Sequence, residues 1–352
     1  MVALSTNTLL TGCHRVSSKE NDKADMDGQK LTAIDARRVA REVTARIFEE
    51  NMFGASDPAP RGTLRGIDVL PTSRVTQKLS RALQTILTSR GALPDLLRPQ
   101  TFFEKLTMAK FFAPVPMPSP ADKLAVGQYV PAELHDTISV IPPVWSGRTQ
   151  ITKDLLDQLS LPKGVYYAKS NSGSGTNDMF EIPPTDQNLE RLARFSENWL
   201  TQKHGERAGE WWYDLIRPQN MIEPDLAVNP GESLSDWKFH TGGGNVLALQ
   251  LDLDRGAAHR QLMFERDFTF IPEKMFFQTG EPVEKPARYD EIVEIVEAIA
   301  KPFEFARVDL YLVGDKIYLG EITLAPIGGQ RLPISEKLDH LMGARWKSDF
   351  FD

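Results

Sequence analysis

Two strand-like runs, Phe305-Ala306-Arg307-Val308-Asp309-Leu310-Tyr311 and Tyr318-Leu319-Gly320-Glu321-Ile322-Thr323, are joined by a short turn, and each carries one acidic residue. Alternation places Arg307 and Asp309 on one face and Val308, Leu310 and Leu312 on the other, with Gly314-Asp315 supplying the turn. Loop length then sets the chemistry. A two-residue loop pairs Val313 with Lys316 and sends Asp309 and Glu321 to opposite faces, whereas a three-residue loop pairs Val313 with Ile317 and sets the two acids against each other. The second register is expected, because it also matches Leu319 with Tyr311 and Thr323 with Arg307, gathering the polar residues on one side. Carboxylates so opposed repel at about 5 Å unless a cation lies between them.

A hard divalent ion would supply that cation, and an open site of oxygen ligands favours magnesium completed by nucleotide phosphates. The competing reading is a pair of solvated acids on an edge hairpin. Composition narrows the choice. A chain of 352 residues, 41% hydrophobic and 25% charged, reads as an ordinary globular protein of two or three domains or subdomains. A net charge of −7 argues against a general nucleic-acid binder, leaving room for a local basic channel that takes polyphosphate. Cys13 is the only cysteine, so disulfide staples and thiolate zinc sites are excluded and the reducing cytoplasm is the expected compartment. The six histidines form no close pair of the kind that marks a zinc enzyme. No run approaches the roughly 18 apolar residues that span a bilayer. Leu9-Leu10-Thr11-Gly12-Cys13 has the look of a lipoprotein cleavage box, but no Lys or Arg precedes it and the apolar segment is interrupted by Ser5, Thr6, Asn7 and Thr8. Residues 1–30 are expected to form a mobile tail.

Order is expected from about Leu31. Val39, Val43 and Ile47 within Asp35 to Glu50, and Val75, Leu79, Leu83 and Leu87 before Gly91, predict two amphipathic helices, and a third is expected over Phe102 to Phe112. This helical region, 31–118, reads as packing rather than as a site wall, and Pro114 to Pro120 reads as a linker. Asp122 could cap a further helix. Val165-Tyr166-Tyr167-Ala168-Lys169 predicts a strand delivering a lysine to the loop Ser170-Asn171-Ser172-Gly173-Ser174-Gly175-Thr176-Asn177. Such a loop can wrap polyphosphate, because glycine lets backbone N–H groups converge while the ammonium adds a point charge. It does not follow the Walker order, and alone it would read as a surface turn. Trp211-Trp212-Tyr213 is expected in the core. Pro224, in Ile222-Glu223-Pro224-Asp225, suggests a hinge between units 119–225 and 226–352. Leu234 to Phe239 and Val246 to Asp252 read as a strand pair, and Ile292, Ile295, Val296 and Ile299 predict a helix covering a sheet.

Together these segments resemble the TupA-like branch of the ATP-grasp superfamily. The resemblance rests on Asp122-Lys123-Leu124-Ala125-Val126, Lys169 with its Ser-Gly loop, Ile222-Glu223, Asp236-Trp237-Lys238-Phe239, Asp254-Arg255 with His259, Arg307 to Tyr311, and Gly320-Glu321-Ile322-Thr323, in that order. It spans about Pro99 to Gln330 and leaves the first 95 residues unaccounted for. It implies an α+β fold in which a lid subdomain, 119–225, and a core subdomain, 226–352, clasp Mg-ATP between antiparallel sheets. By the same resemblance Lys123 and Lys169 would contact nucleotide phosphates, and Ser172, Gly173, Ser174 and Gly175 would form a mobile flap. Glu223 would meet the adenosine, Arg307 would stabilise the transferred phosphate, and Asp309, Glu321 and Thr323 would hold Mg2+. Two positions depart from the pattern: Thr323 stands where many relatives carry asparagine, and Ser172 where the loop usually has histidine.

The implied reaction transfers the terminal phosphate of ATP to a carboxylate, and an amine then attacks the acyl phosphate to form an amide. Positioning and charge neutralisation carry the first step, so no protein nucleophile is required. Lys238, Arg255 and His259 could bind phosphate or the acceptor, Lys238 foremost, or could be salt-bridged surface groups. The branch's association with cell-surface polysaccharides suggests carboxylate and amine substrates that are small molecules or glycan-linked. A kinase acting on a hydroxyl and a non-catalytic nucleotide-binding partner of a glycan assembly complex remain as alternatives.

Overall fold

The structure, a computed structural model, describes residues 32–227, 234–254, 259–277, 279–329 and 334–352. The expected tail, Leu31, Cys13 with its cleavage-like box, and Arg255 lie outside these residues. Helix α1 (Ala33–Glu49) starts where Thr32 and Asp35 close a capping box, and buries Ala36, Ala40, Val43 and Ile47. A two-residue strand β1 (Thr63–Leu64) and one-turn helix α2 (Gly66–Val69) lead into α3 (Thr72–Arg90), which packs on α1 through Val75, Leu79 and Leu83 and stops at Gly91. Helix α4 (Phe102–Phe112) is buried almost all round, Lys105 and Lys110 included. Its Phe102, Leu106 and Ala109 belong to the main core, while Met108, Phe111 and Phe112 belong to the core of the helical region. One helix thus serves two cores. The Pro-rich stretch expected as a linker holds strand β2 (Val115–Pro116), which pairs with β1.

Strand β3 (Ile138–Val140) follows, then β4 (Trp145–Gly147), α5 (Lys153–Leu159), β5 (Gly164–Ser170), β6 (Asn177–Ile182), α6 (Asp186–Trp199), α7 (Gly205–Ala208) and β7 (Asn220–Pro224). Four of these strands make an antiparallel sheet in the order β4-β7-β5-β6. Its core, Ile151, Leu156, Tyr166, Phe180, Leu192, Trp199 and Ile222, is small and self-contained. Strand β3 lies within the span 119–225 yet pairs elsewhere, parallel to Ile317, Tyr318 and Leu319 at the edge of the larger sheet. No helix opens at Asp122; its carboxylate accepts from the Leu124 N–H in a tight turn ahead of a 3₁₀ segment at Val126–Tyr129.

The larger sheet uses β8 (Asp236–Gly242), β9 (Asn245–Leu253), β10 (Arg260–Phe264), β11 (Phe270–Ile271), β12 (Phe305–Val313) and β13 (Lys316–Thr323), with α8 (Tyr289–Ala300) and α9 (Glu336–Arg345) beside it. Its order is β11-β10-β9-β8-β12-β13-β3, seven strands. Helix α8 covers one face, its Tyr289 ring 6.2 Å from Phe239. On the other face Phe102 of α4, Phe305 of β12 and Trp346 beyond α9 form a cluster of rings 5.5–5.9 Å apart. The rest of that second face carries the polar residues. Among the described residues no helix is long and apolar enough to cross a membrane.

Candidate active site

The β12–β13 hairpin has the two-residue loop, not the three-residue one expected: Val313 pairs with Lys316, and Leu319 faces Leu310 rather than Tyr311. A β-bulge between Asp309 and Leu310 then shifts the register, with Gly320 as the extra residue, and from there Asp309 stands opposite Glu321 and Arg307 opposite Thr323. Both outcomes of the loop argument are therefore reconciled by one inserted residue. Glycine is needed there, since a Cβ on Gly320 would lie 2.8 Å from the Tyr311 ring and 3.3 Å from the Asp309 carbonyl.

The cation between the two acids in this structure is Arg307. Its guanidinium grips Asp309 through Nε and Nη2, both at 2.6 Å, and Nη2 also donates to Glu321 Oε1 and Thr323 Oγ1 at 3.1 Å. Thr323 in turn donates to Glu321 at 3.1 Å. Burial pushes Asp309 up to about 7, a rise that Arg307 opposes and Glu321 reinforces. Glu321 feels burial too, but Lys123 and Arg307 overcome it and hold the carboxyl down to about 2. The two acids share one cationic environment unequally. Two carboxylates and a hydroxyl are hard oxygen donors that fit Mg2+, an ion that takes one or two carboxylates and fills its shell with waters and phosphates. Asp309, Glu321 and Thr323 would hold it; among the described residues no cluster of three or more His, Cys, Asp and Glu offers a complete protein cage.

The flap meets this cluster through Lys123. Its ammonium donates to the Gly173 carbonyl at 2.9 Å and lies 3.9 Å from Glu321. Burial lowers the Lys123 pKa while Glu321 works against that fall. Ser172 and Gly173 are buried at the flap's base, and Ser174 and Gly175 are exposed at its tip. Gly173 has a φ of +90° and Gly175 of +69°, the region in which glycine is unstrained. The base is organised by Asn171, a residue that sequence reasoning passed over as one more polar loop position. Fully buried, it donates to Asp122 at 2.9 Å, accepts from the Gln219 N–H at 2.8 Å, and its carbonyl accepts from the Lys123 N–H at 3.0 Å. Only a buried side chain able to donate and accept at once fits there, and nothing in a single sequence announces that.

Other expected residues form separate groups. Lys169 pairs with Glu223 across β5 and β7, so this lysine and the acid assigned to adenosine contact each other. Lys238 stands beside Asp309 in register, but its ammonium lies 2.7 Å from Asp236 and 2.9 Å from Asp252. Gln250, Gln261 and, at 3.4 Å, His259 also converge on Asp252, giving a buried polar patch on the same face. The Trp211-Trp212-Tyr213 trio is buried, as expected.

Comparison with solved structures finds low-identity likenesses. D-alanine–D-alanine ligase from Bacillus anthracis is 16% identical, with a TM-score of 0.34 over 60% of this chain and 59% of its own. The corresponding ligase from Helicobacter pylori is 11% identical, with a TM-score of 0.35 over 65% and 61%. The macrocyclase MdnC from Microcystis aeruginosa, bound to its precursor peptide MdnA, is 8% identical, with a TM-score of 0.32 over 60% and 56%. This chain thus spans less than two thirds of the length of each. A search among curated proteins gives no match. The family model described as TupA-like ATPgrasp matches residues 121–347, from the turn that carries Lys123 to the end of the sheet's last covering segment, and the chain belongs to that branch of the ATP-grasp superfamily.

Proposed function

We propose that this chain is an ATP-dependent carboxylate–amine ligase that works through an acyl phosphate, in the cytoplasm, on a cell-surface polysaccharide or its precursor. The observation that carries the reading is a continuous chain of contacts from flap to acids: Gly173 carbonyl to Lys123, Lys123 to Glu321, Glu321 to Arg307, and Arg307 to Asp309. A triphosphate laid along that line would find a cation at each end of the transferred group. A substrate carboxylate oxygen attacks the terminal phosphorus while the bond to the ADP oxygen breaks, and Arg307 and Lys123 neutralise charge on the equatorial oxygens. An amine then attacks the acyl carbon, inorganic phosphate departs, and the nitrogen gives up a proton. Bound Mg2+ would supply Lewis-acid polarisation of the phosphates and screen their charge. Lys123, tied to flap and acid at once, would couple flap closure to assembly of the phosphate site. The polysaccharide assignment is supported by membership of the branch, and the compartment by a single cysteine.

The test is to incubate the protein with ATP, Mg2+, pooled acids and pooled amines. ADP release should require both an acid and an amine, and hydroxylamine should replace the amine and yield a hydroxamate. A stable phosphorylated product formed without any amine would establish a kinase instead, and binding of Mg-ATP without turnover would establish a nucleotide-binding partner.

A further inference from the structure

His204 is not among the residues assigned above, yet it touches the flap. It precedes α7, and its ring lies beside Tyr213 at 5.9 Å between centroids. A Cβ on Gly173 would overlap His204 Nε2, with the flanking Cδ2 and Cε1 only slightly farther away, so the Nε2 end of the imidazole lies face-on beneath the space that a side chain at 173 would fill. Nε2 is buried and has no hydrogen-bond partner among the described residues. A buried donor or acceptor left without a partner destabilises the fold, so such an atom calls for an explanation. Here the group above it is a loop glycine whose carbonyl is held by Lys123. The same glycine is thus held by the Lys123 ammonium through its carbonyl and lies against an orphan imidazole nitrogen. Asp214, the nearby acid, is engaged by the Gly205 N–H at 3.2 Å. The neighbourhood that remains suits an anion rich in acceptor oxygens.

We propose that His204 is a phosphate-binding residue, whose Nε2 donates to a phosphoryl oxygen of a nucleoside triphosphate once Gly173 moves off it. The inference rests on the flap being a nucleotide flap, as in the reading above. Exposure of Ser174 and Gly175 and the glycine conformations at 173 and 175 give the segment the freedom to lift.

Calorimetric titration of the full chain with Mg-ATP and with AMP tests it. His204→Phe keeps a ring of similar size against Gly173 and removes the nitrogen. It should weaken Mg-ATP binding about tenfold while leaving AMP affinity unchanged, and His204→Gln, which restores an Nε2 donor, should recover most of the loss. Should the phenylalanine variant fold poorly, His204→Ala gives the same comparison with space in place of a ring. Equal losses for ATP and AMP, or no loss for either, would overturn the assignment of His204 and leave the nucleotide site standing. Failure of the wild-type chain to bind either nucleotide would overturn the nucleotide reading itself.

Discussion

Arg307 takes the place between Asp309 and Glu321 that electrostatics demands a cation fill, and this changes what removing either acid should do. On opposition alone, neutralising one carboxylate would relieve repulsion. With Arg307 clamped bidentately to Asp309, and both side chains only 13% and 10% exposed, Asp309→Asn instead strips a buried guanidinium of its best partner. Breaking such a pair outright costs about 3–5 kcal/mol. Glu321 remains as a second acceptor, so we expect a loss of about 1–3 kcal/mol for Asp309→Asn, read from urea denaturation without added metal. Glu321 is 35% exposed and makes one contact to Arg307, and Glu321→Gln should cost less than about 1 kcal/mol. Both variants should nonetheless abolish turnover. A pair of unfolding curves in which Glu321→Gln is the more damaging would show that the guanidinium is not the group that settles the two acids.

The β12–β13 hairpin shows how local pattern and element geometry part company. Alternation correctly sorts Arg307, Asp309, Glu321 and Thr323 onto one face, but it predicts a loop one residue too long, because an extra residue in a bulge produces the same pairing at the acids. A bulge is set by what the neighbouring strand and the Tyr311 ring leave room for, and a single glycine in a strand pattern only hints at it. The helices are legible for the opposite reason: the apolar spacing of α1, α3 and α8 is local, capping boxes open α1 and α4, and Gly91 closes α3. Resemblance alone implies a phosphate contact for Lys123, whereas its grip on Gly173, 50 residues away, is a tertiary fact. Gly320→Val should cost about 1–3 kcal/mol through overpacking and should reduce turnover further than stability, since Glu321 leaves its position. Turnover equal to wild type would detach the bulge from the chemistry.

A neighbouring element offers a pH test. His240 of β8 is buried against Phe102 and Phe305, with Nε2 beside Gln250 and Nδ1 without a partner among the described residues. Burial, then Arg307, pushes it down to about 3, while Asp252 and the Gln250 contact raise it and Lys238 lowers it. The unfolded chain therefore binds the extra proton first, so stability is full above the unfolded value near 6.5 and falls as pH drops toward 3. The contribution of this one group amounts to about 2 kcal/mol between pH 7 and pH 5. His240→Gln should flatten that limb of a plot of unfolding free energy against pH by this amount, and an unchanged slope would show that His240 is charged in the fold.

At the scale of the molecule, the helical region is a structural part of the body that the family model matches. Its lysines cap carbonyls on distant elements: Lys78 donates to Glu206, Lys105 to Trp346 at 2.6 Å, and Lys110 to both Ala208 and Gly328. Three of those carbonyls belong to residues close in sequence to His204 or Thr323. Helix α4 also lends Phe102 and Leu106, both fully buried, to the core beneath the sheet. Burying those two side chains contributes on the order of 5 kcal/mol, which is comparable with the whole stability of many domains. Deleting residues 1–113 leaves the span matched by the family model intact, yet it also uncovers Trp211, whose indole nitrogen donates to the Lys110 carbonyl at 2.9 Å. We therefore expect the shortened chain to lack a cooperative thermal transition and to bind hydrophobic dyes. A milder probe, Lys110→Met, leaves two carbonyls short of a donor and should lower stability by about 1–3 kcal/mol. A sharp melt from the shortened chain, at a temperature close to that of the full one, would mean that the span matched by the family model stands without the first three long helices.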